Sequence, residues 1–317
     1  MSETLDLLRL LGGVVYLVIG GDLLVRGALG MSRRASISPL IVGLTVVALG
    51  TSAPELVISL HSALSGFSGL SIGNVVGSNI SNVLVVLGAP ALIHPARPDR
   101  SASRQAAFMV AVSGLFLGLC ALGPLGLGHG ALLVGLLVAG MALTARGEMR
   151  MPGLDLSQAE EELQRVLGMP HTGPAILLFL ASGSAALGVG AHLTVEGSVA
   201  LGAQLGISDA VMGATVVALG TSLPELSTTL IAAAHRSADV AFGNVVGSNV
   251  LNILGIMGLT ALVVDVPVPA ALLRFDLWVM LGATISLWWI ISQGIAIGRA
   301  LGSLFLVAYA SYLALLF

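Results

Sequence analysis

The chain has 317 residues, of which 56% are hydrophobic and 9% charged, and its formal net charge is −3. A soluble domain carries roughly a quarter charged residues, so this chain cannot coat a water-facing surface, and its apolar excess must face lipid. The slight negative charge argues against a nucleic-acid partner. The single cysteine, Cys120, excludes a disulfide framework and any paired-cysteine metal site, which leaves it a packing role.

At roughly 20 residues per crossing, the apolar runs predict ten transmembrane helices. They fall at 7–28, 38–65, 70–93, 105–122, 128–146, 174–202, 208–234, 238–264, 273–293 and 297–316. The runs are too long for barrel strands and lack a barrel's in-out alternation. The first run spans the bilayer as a mature helix and not as a cleaved signal. The 41 glycines suit close helix packing in a membrane. All 13 basic residues are arginine, and eleven of them fall on one side of this layout; only Arg9 and Arg274 fall on the other. The positive-inside rule then puts the eleven in the cytoplasm and both termini outside, the expected location being a prokaryotic inner (plasma) membrane. One long loop, 147–173, separates two halves, 1–146 and 174–317. Its 155–167 stretch, with Glu160, Glu161 and Glu162, reads as a short solvated helix.

The two halves repeat each other. Gly43–Glu55 (GLTVVALGTSAPE) recurs as Gly213–Glu225 (GATVVALGTSLPE), and Gly73–Asn82 (GNVVGSNISN) recurs as Gly243–Asn252 (GNVVGSNVLN). Each pair is 170 residues apart, as are Gly27 and Gly197. Five spans per copy is an odd number, so successive copies enter the bilayer in opposite senses. The expected fold is therefore an all-α polytopic membrane protein of two inverted five-helix repeats, a symmetry that gives a transporter one conformation open to each side. Arg26 and Glu196 occupy equivalent repeat positions with opposite charge; inversion puts them near opposite faces, so they are not expected to pair.

Glu55 and Glu225 each lie within an apolar span, with no arginine nearby in that span. An ionised side chain at mid-bilayer costs about 2.5–3.5 kcal/mol on insertion scales, which makes a cation the natural partner. Pro54 and Pro224 precede them and remove a backbone donor. With Gly50-Thr51-Ser52 and Gly220-Thr221-Ser222 they predict broken helices, whose freed carbonyls are tolerated only in a buried or watery site. Carboxylates, carbonyls and hydroxyls are hard oxygen ligands of the kind calcium takes. A plain proline kink could explain one copy, but not a carboxylate aligned with the break in both. Asn82 and Asn252 lie four residues after Ser78 and Ser248, so each pair shares a helix face and can offer neutral oxygens. Asn74, Asn79, Asn244 and Asn249 are candidates for holding the broken helices together. Asp22, whose repeat counterpart is His192, reads as structural, and His61 and His235 read as interfacial.

The duplicated Gly-Thr-Ser-x-Pro-Glu and Gly-Asn-Val-Val-Gly-Ser-Asn-x-x-Asn motifs resemble the alpha repeats of the cation/calcium exchanger superfamily, specifically sodium/calcium exchangers. The resemblance implies a calcium site of the Glu55 and Glu225 carboxylates and the Thr51 and Thr221 carbonyls. It implies one sodium site from Ala48, Thr51, Ser52 and Ser248 with Glu225, and its mirror from Ala218, Thr221, Ser222 and Ser78 with Glu55. Asn82 and Asn252 match the positions between them. It also implies that spans one and six slide against the other eight. Asparagine at both 82 and 252, where some relatives carry aspartate, disfavours potassium co-transport. Val76-Gly77 and Val246-Gly247, where the proton-coupled branch usually has an acidic residue, disfavour proton coupling.

These readings converge on an antiporter that exchanges sodium for calcium, with three sodium per calcium and net charge movement implied by the family. No cofactor and no obligatory protein partner are expected; calcium, sodium and membrane lipid are. Protons should compete for the same oxygens and weaken calcium transport at acid pH. A proton-coupled calcium antiporter is the alternative, and a cation channel a more distant one. No nucleophile pair or metalloprotease motif in the spans supports an enzyme.

Overall fold

The computed structural model describes residues 2–95, 97, 102–147, 168–204 and 218–316. Apolar runs whose peptide groups find no water must hydrogen-bond within themselves, and the described residues accordingly form helices joined by short turns. A single antiparallel bridge pairs Leu125 with Val266. In chain order the helices are α1 (Ser2–Ala35), α2 (Pro39–Thr51), α3 (Ala53–Leu64), α4 (Ser68–Ile93), α5 (Ala102–Leu122), α6 (Leu127–Gly147), α7 (Gly173–Gln204), α8 (Ala218–Gly220), α9 (Leu223–Ala234), α10 (Ala238–Val263), α11 (Ala270–Arg274), α12 (Asp276–Ser292) and α13 (Arg299–Leu316). Helix lies in each of the ten expected intervals, the seventh being described from Ala218 onward. The expected 155–167 helix and the first five residues, Gly213–Val217, of the Gly213–Glu225 motif copy lie outside the described residues.

Among the described residues, six helices (α1, α4, α5, α7, α10 and α13) are long and apolar enough to cross a membrane, and the bent pair α2–α3 would make a seventh. The protein is an all-helical, polytopic integral membrane protein. Its centre is α4 and α10, whose most apolar windows are 72% and 83% buried, against a third or less for α1, α7 and α13. One apolar core joins α4, α5, α10, α12 and α13. A second holds α1 and α7 together and against the starts of α2 and α10.

The α1–α7 pair owes its closeness to glycine. Gly13, Gly20 and Gly27 recur every seventh residue, as do Gly183, Gly190 and Gly197, so each set forms one stripe on its helix. The stripes face each other antiparallel. A methyl group on Gly20 would lie 2.8 Å from the Leu187 nitrogen, and one on Gly190 would lie 2.8 Å from the Leu17 nitrogen. Only glycine lets two backbones meet this closely. The register sets Gly27 beside Leu180 and Gly197 beside Leu10. Arg26 and Glu196 therefore sit at opposite ends of the pair, and each finds a partner one turn away on its own helix: Arg26 with Asp22 at 2.7 Å and Glu196 with His192 at 3.3 Å.

The two motif copies fold alike locally. Ser52 (φ −85°, ψ 8°) and Ser222 (φ −88°, ψ 5°) leave the helical conformation in the same way. Each is followed by a helix with proline in its first turn, where the missing N–H has no intrahelical acceptor anyway. The α2–α3 break bends the axis by 50°. Both following helices end on a left-handed residue 170 positions apart, Gly66 (φ 84°) and Arg236 (φ 55°). The reverse bonds are matched as well: Phe67 N–H donates to the Ser62 carbonyl at 2.8 Å and Ser237 N–H to the Ala232 carbonyl at 2.8 Å. The second copy keeps the turn although arginine occupies the position that favours glycine.

A candidate ion site between two helix breaks

Glu55 stands in the first turn of α3 and Glu225 in the first turn of α9, 1% and 0% exposed. A helix N-terminus offers unpaired N–H groups and a favourable dipole to a carboxylate, so the breaks at Ser52 and Ser222 create the two places in these spans where an acidic side chain is best tolerated. The Ser52 hydroxyl, at the break just before Glu55, bonds the Glu225 carboxylate, which brings the two helix breaks and their acidic side chains to one place.

Their surroundings differ. Glu225 Oε1 accepts from the Ser52 hydroxyl at 3.0 Å and from the Ser248 hydroxyl at 3.4 Å, and the two hydroxyl oxygens lie 3.0 Å apart. The equivalent hydroxyls for Glu55 are Ser222 and Ser78. Ser222 instead pairs with Ser81 at 2.8 Å, and the buried Ser78 hydroxyl has no partner. Both oxygens of Glu55 and the second oxygen of Glu225 lack a well-formed hydrogen bond, as do the Thr221 hydroxyl and the side-chain oxygens of Asn82 and Asn252. Buried acceptors are almost always hydrogen-bonded. A cluster of unpartnered buried oxygens, three of them on carboxylates, is the arrangement a cation satisfies.

Of the residues expected at the site, Glu55, Glu225, Thr51, Ser52, Thr221, Ser222, Ala48, Ser78, Ser248, Asn82 and Asn252 are all buried. Ala218 is placed by its backbone, in α8. The Thr51 hydroxyl donates to the Asn244 side-chain oxygen at 3.1 Å. Asn244 in turn donates to the Glu225 carbonyl at 3.4 Å and to Thr229 at 3.2 Å. Its counterpart Asn74 donates to Ser59 at 2.9 Å. Each thus ties its broken span to the helix that follows.

Three features escape a reading of the sequence. Ser81 diverts Ser222; its repeat position holds Leu251, a difference visible in the chain but silent about its effect. The helices carrying the Asn motif widen into π turns at Asn82–Val86 and Leu251–Met257, a distortion frequent at functional sites. His235 is not simply interfacial: its Nε2 lies 3.0 Å from Asp22 Oδ1, and Asp22 Oδ2 meets Arg26, so α1 is pinned to the end of α9.

A cleft of about 560 Å³ opens between α7 and α3, walled by Pro54, Val57 and Ile58 on one side and Ser184, Gly188 and His192 on the other, and it reaches Gly220 and Thr221.

The sequence model of the sodium/calcium exchanger protein family matches residues 5–145 and 175–317. The chain belongs to the sodium/calcium exchanger family. It is 35% identical over 309 residues to a putative antiporter, CaxA, from Alkalimonas amylolytica, covering 96% of each chain. It is 32% identical over 360 residues to the sodium/calcium exchanger MaX1 of Methanosarcina acetivorans, covering 99% of each. Among solved structures it resembles the sodium-calcium exchanger NCX_Mj with a TM-score of 0.82 and 29% identity, covering 98% of each chain. This is a family of ion-transporting antiporters, not of enzymes, and its members carry sodium and calcium as transported substrates.

Proposed function

We propose that this exchanger swaps sodium for calcium at the Glu55–Glu225 pair, by alternating access between two inverted halves of five crossings each, 1–146 and 174–317, joined by the 147–173 loop. One observation carries the reading: two carboxylates face each other deep among apolar helices, and three of their four oxygens lack a well-formed hydrogen bond. Two negative charges suit one calcium ion. Sodium ions that use the same oxygens cannot share the site with it, so each cargo displaces the other. An empty site would expose uncompensated charge to an apolar barrier and disfavour return without cargo. Thr51, Ser52, Thr221, Ser222, Ala48, Ala218, Ser78, Ser248, Asn82 and Asn252 supply the neutral oxygens. Three sodium per calcium would move one net charge per cycle. Arginine placement supports termini outside a prokaryotic inner membrane, so the α7–α3 cleft would face outward.

Purified protein in liposomes should take up calcium when a sodium gradient is imposed, and a potential clamp should alter the rate. Uptake indifferent to potential would overturn the three-to-one ratio. Uptake driven by a pH gradient in sodium-free vesicles would instead make this a proton-coupled antiporter. Flux without any counter-ion requirement would indicate a channel.

A further inference from the structure

Asn79 and Asn249 sit at the crossing of α4 and α10 and touch neither carboxylate in any described hydrogen bond. Each bonds the other half's site asparagine, in a crossed pattern. The Asn252 amide nitrogen donates to Asn79 Oδ1 at 3.0 Å, and the Asn82 amide nitrogen donates to Asn249 Oδ1 at 3.0 Å. The amide nitrogen of Asn79 donates to the backbone carbonyl of Asn249 at 3.3 Å and faces the Met280 sulfur at 3.7 Å. The amide nitrogen of Asn249 donates to the backbone carbonyl of Asn79 at 3.3 Å and faces the Met109 sulfur at 3.6 Å. All four residues are at most 1% exposed.

The chain of bonds runs one way. A backbone carbonyl and a thioether sulfur can only accept. The NH₂ group of Asn79 must therefore face them, so its oxygen must face Asn252. Asn252 must then present its own NH₂ to Asn79, which turns its oxygen away. The same logic, started from the carbonyl of Asn79, turns the oxygen of Asn82 away from Asn249. Those two oxygens are the ones left buried without a donor. A free amide could present either end, and an NH₂ group aimed at a cation repels it.

We infer that Asn79 and Asn249 are positioning residues that fix which end of the Asn252 and Asn82 amides faces the ion, keeping both oxygens available as neutral ligands. This rests on the ion-site reading above. It adds that the site's preference for cations depends on two residues outside it, each acting across the interface on the opposite half.

The test is apparent calcium affinity, read as calcium-dependent stabilisation of the purified full chain against heat in detergent. Asn79→Ala should weaken binding about tenfold, the scale of one lost buried hydrogen bond. An aspartate has oxygens at both ends and cannot be misoriented. In an Asn252→Asp background, Asn79→Ala should therefore leave affinity unchanged or improve it, whereas in an Asn82→Asp background the loss should persist. Asn249→Ala should show the reverse dependence. Asn79→Ser, which also cannot reach Asn252, serves if the alanine variant does not fold, and melting without calcium reports folding. Equal losses in every background, or no loss, would overturn the inference while leaving the ion site standing. Calcium stabilisation undiminished by Glu55→Gln would overturn the site reading itself.

Discussion

The seam between α1 and α9 is closed, and the repeat-related space between α7 and α3 is open. At the seam, the Ser227 hydroxyl donates to the Leu17 carbonyl at 2.6 Å, and Gly21 lies against Ser227 and Ile231. Ser227 and Thr228 are 9% and 0% exposed, while their counterparts Val57 and Ile58 are 67% and 39% exposed and line the cleft. The contrast arises between segments that carry the same motifs and break in the same way. The shared motifs therefore do not decide which space closes; the position of the α1–α7 pair against the remaining helices goes with residues that differ between the copies, such as Ser227 where the other copy has Val57. That pair is bound internally by backbone contact and has its own apolar core, so it can shift as one unit more easily than it can come apart. On the alternating-access reading proposed above, a shift that opened the seam and closed the cleft would change the side from which the site is approached.

The carboxylates themselves should give the largest effect. Glu55→Gln and Glu225→Gln should each reduce sodium-driven calcium uptake in liposomes to background, while the protein remains folded as judged by its melting and elution. Near-normal uptake by either variant would mean that seam and cleft do not control access to a shared site.

A smaller effect, and a sharper test of the comparison, comes from filling each space. A methyl group at Gly21 would lie 3.0 Å from the Ser227 hydroxyl and 3.2 Å from Ile231 Cγ1, so Gly21→Leu should force the seam apart. Its counterpart Ala191 lines the cleft, so Ala191→Leu should prop the cleft open. Overpacking of this kind costs about 1–3 kcal/mol, and each change should slow exchange roughly tenfold or more. The two should differ in accessibility. With Cys120 replaced by alanine, a Val57→Cys reporter should label readily beside Ala191→Leu, and a Ser227→Cys reporter should label readily beside Gly21→Leu. The same pattern from both variants would refute a shift of α1 and α7 together.

Much of this was legible in the chain. The helical character of the ten apolar intervals and the acidic residue after each break follow from apolar run length and the duplicated motifs, because lipid leaves the backbone little choice but helix and makes a buried carboxylate conspicuous. The asymmetry was not legible. Ser81 looks like any small helix residue until Ser222 is seen to bond it, and the crossed asparagines depend on contacts between residues about 170 positions apart, which no periodicity encodes. His235 lies at a helix end in sequence, and only the packing of α1 brings Asp22 to it.

That last pair gives the smallest expected effect and the most specific one. Asp22 corresponds to His192 in the repeat, and His235 to Ser65, so closing the cleft could not reproduce the bond that holds the seam. The partners are partly exposed, with 28% of the Asp22 and 17% of the His235 side chain accessible, and Arg26 shares the carboxylate. Such a pair is worth about 1 kcal/mol or less. Losing it should move the balance between seam-closed and seam-open forms by no more than about fivefold. Asp22→Asn and His235→Ala should therefore each raise the labelling rate of Ser227→Cys severalfold and lower that of Val57→Cys, with maximal exchange changed little. The double variant should do no more than either single one, since both remove the same contact. Additive effects would place Asp22 and His235 in separate roles, and unchanged labelling would leave the packing of Gly21 and Ser227 as the force that keeps the seam shut.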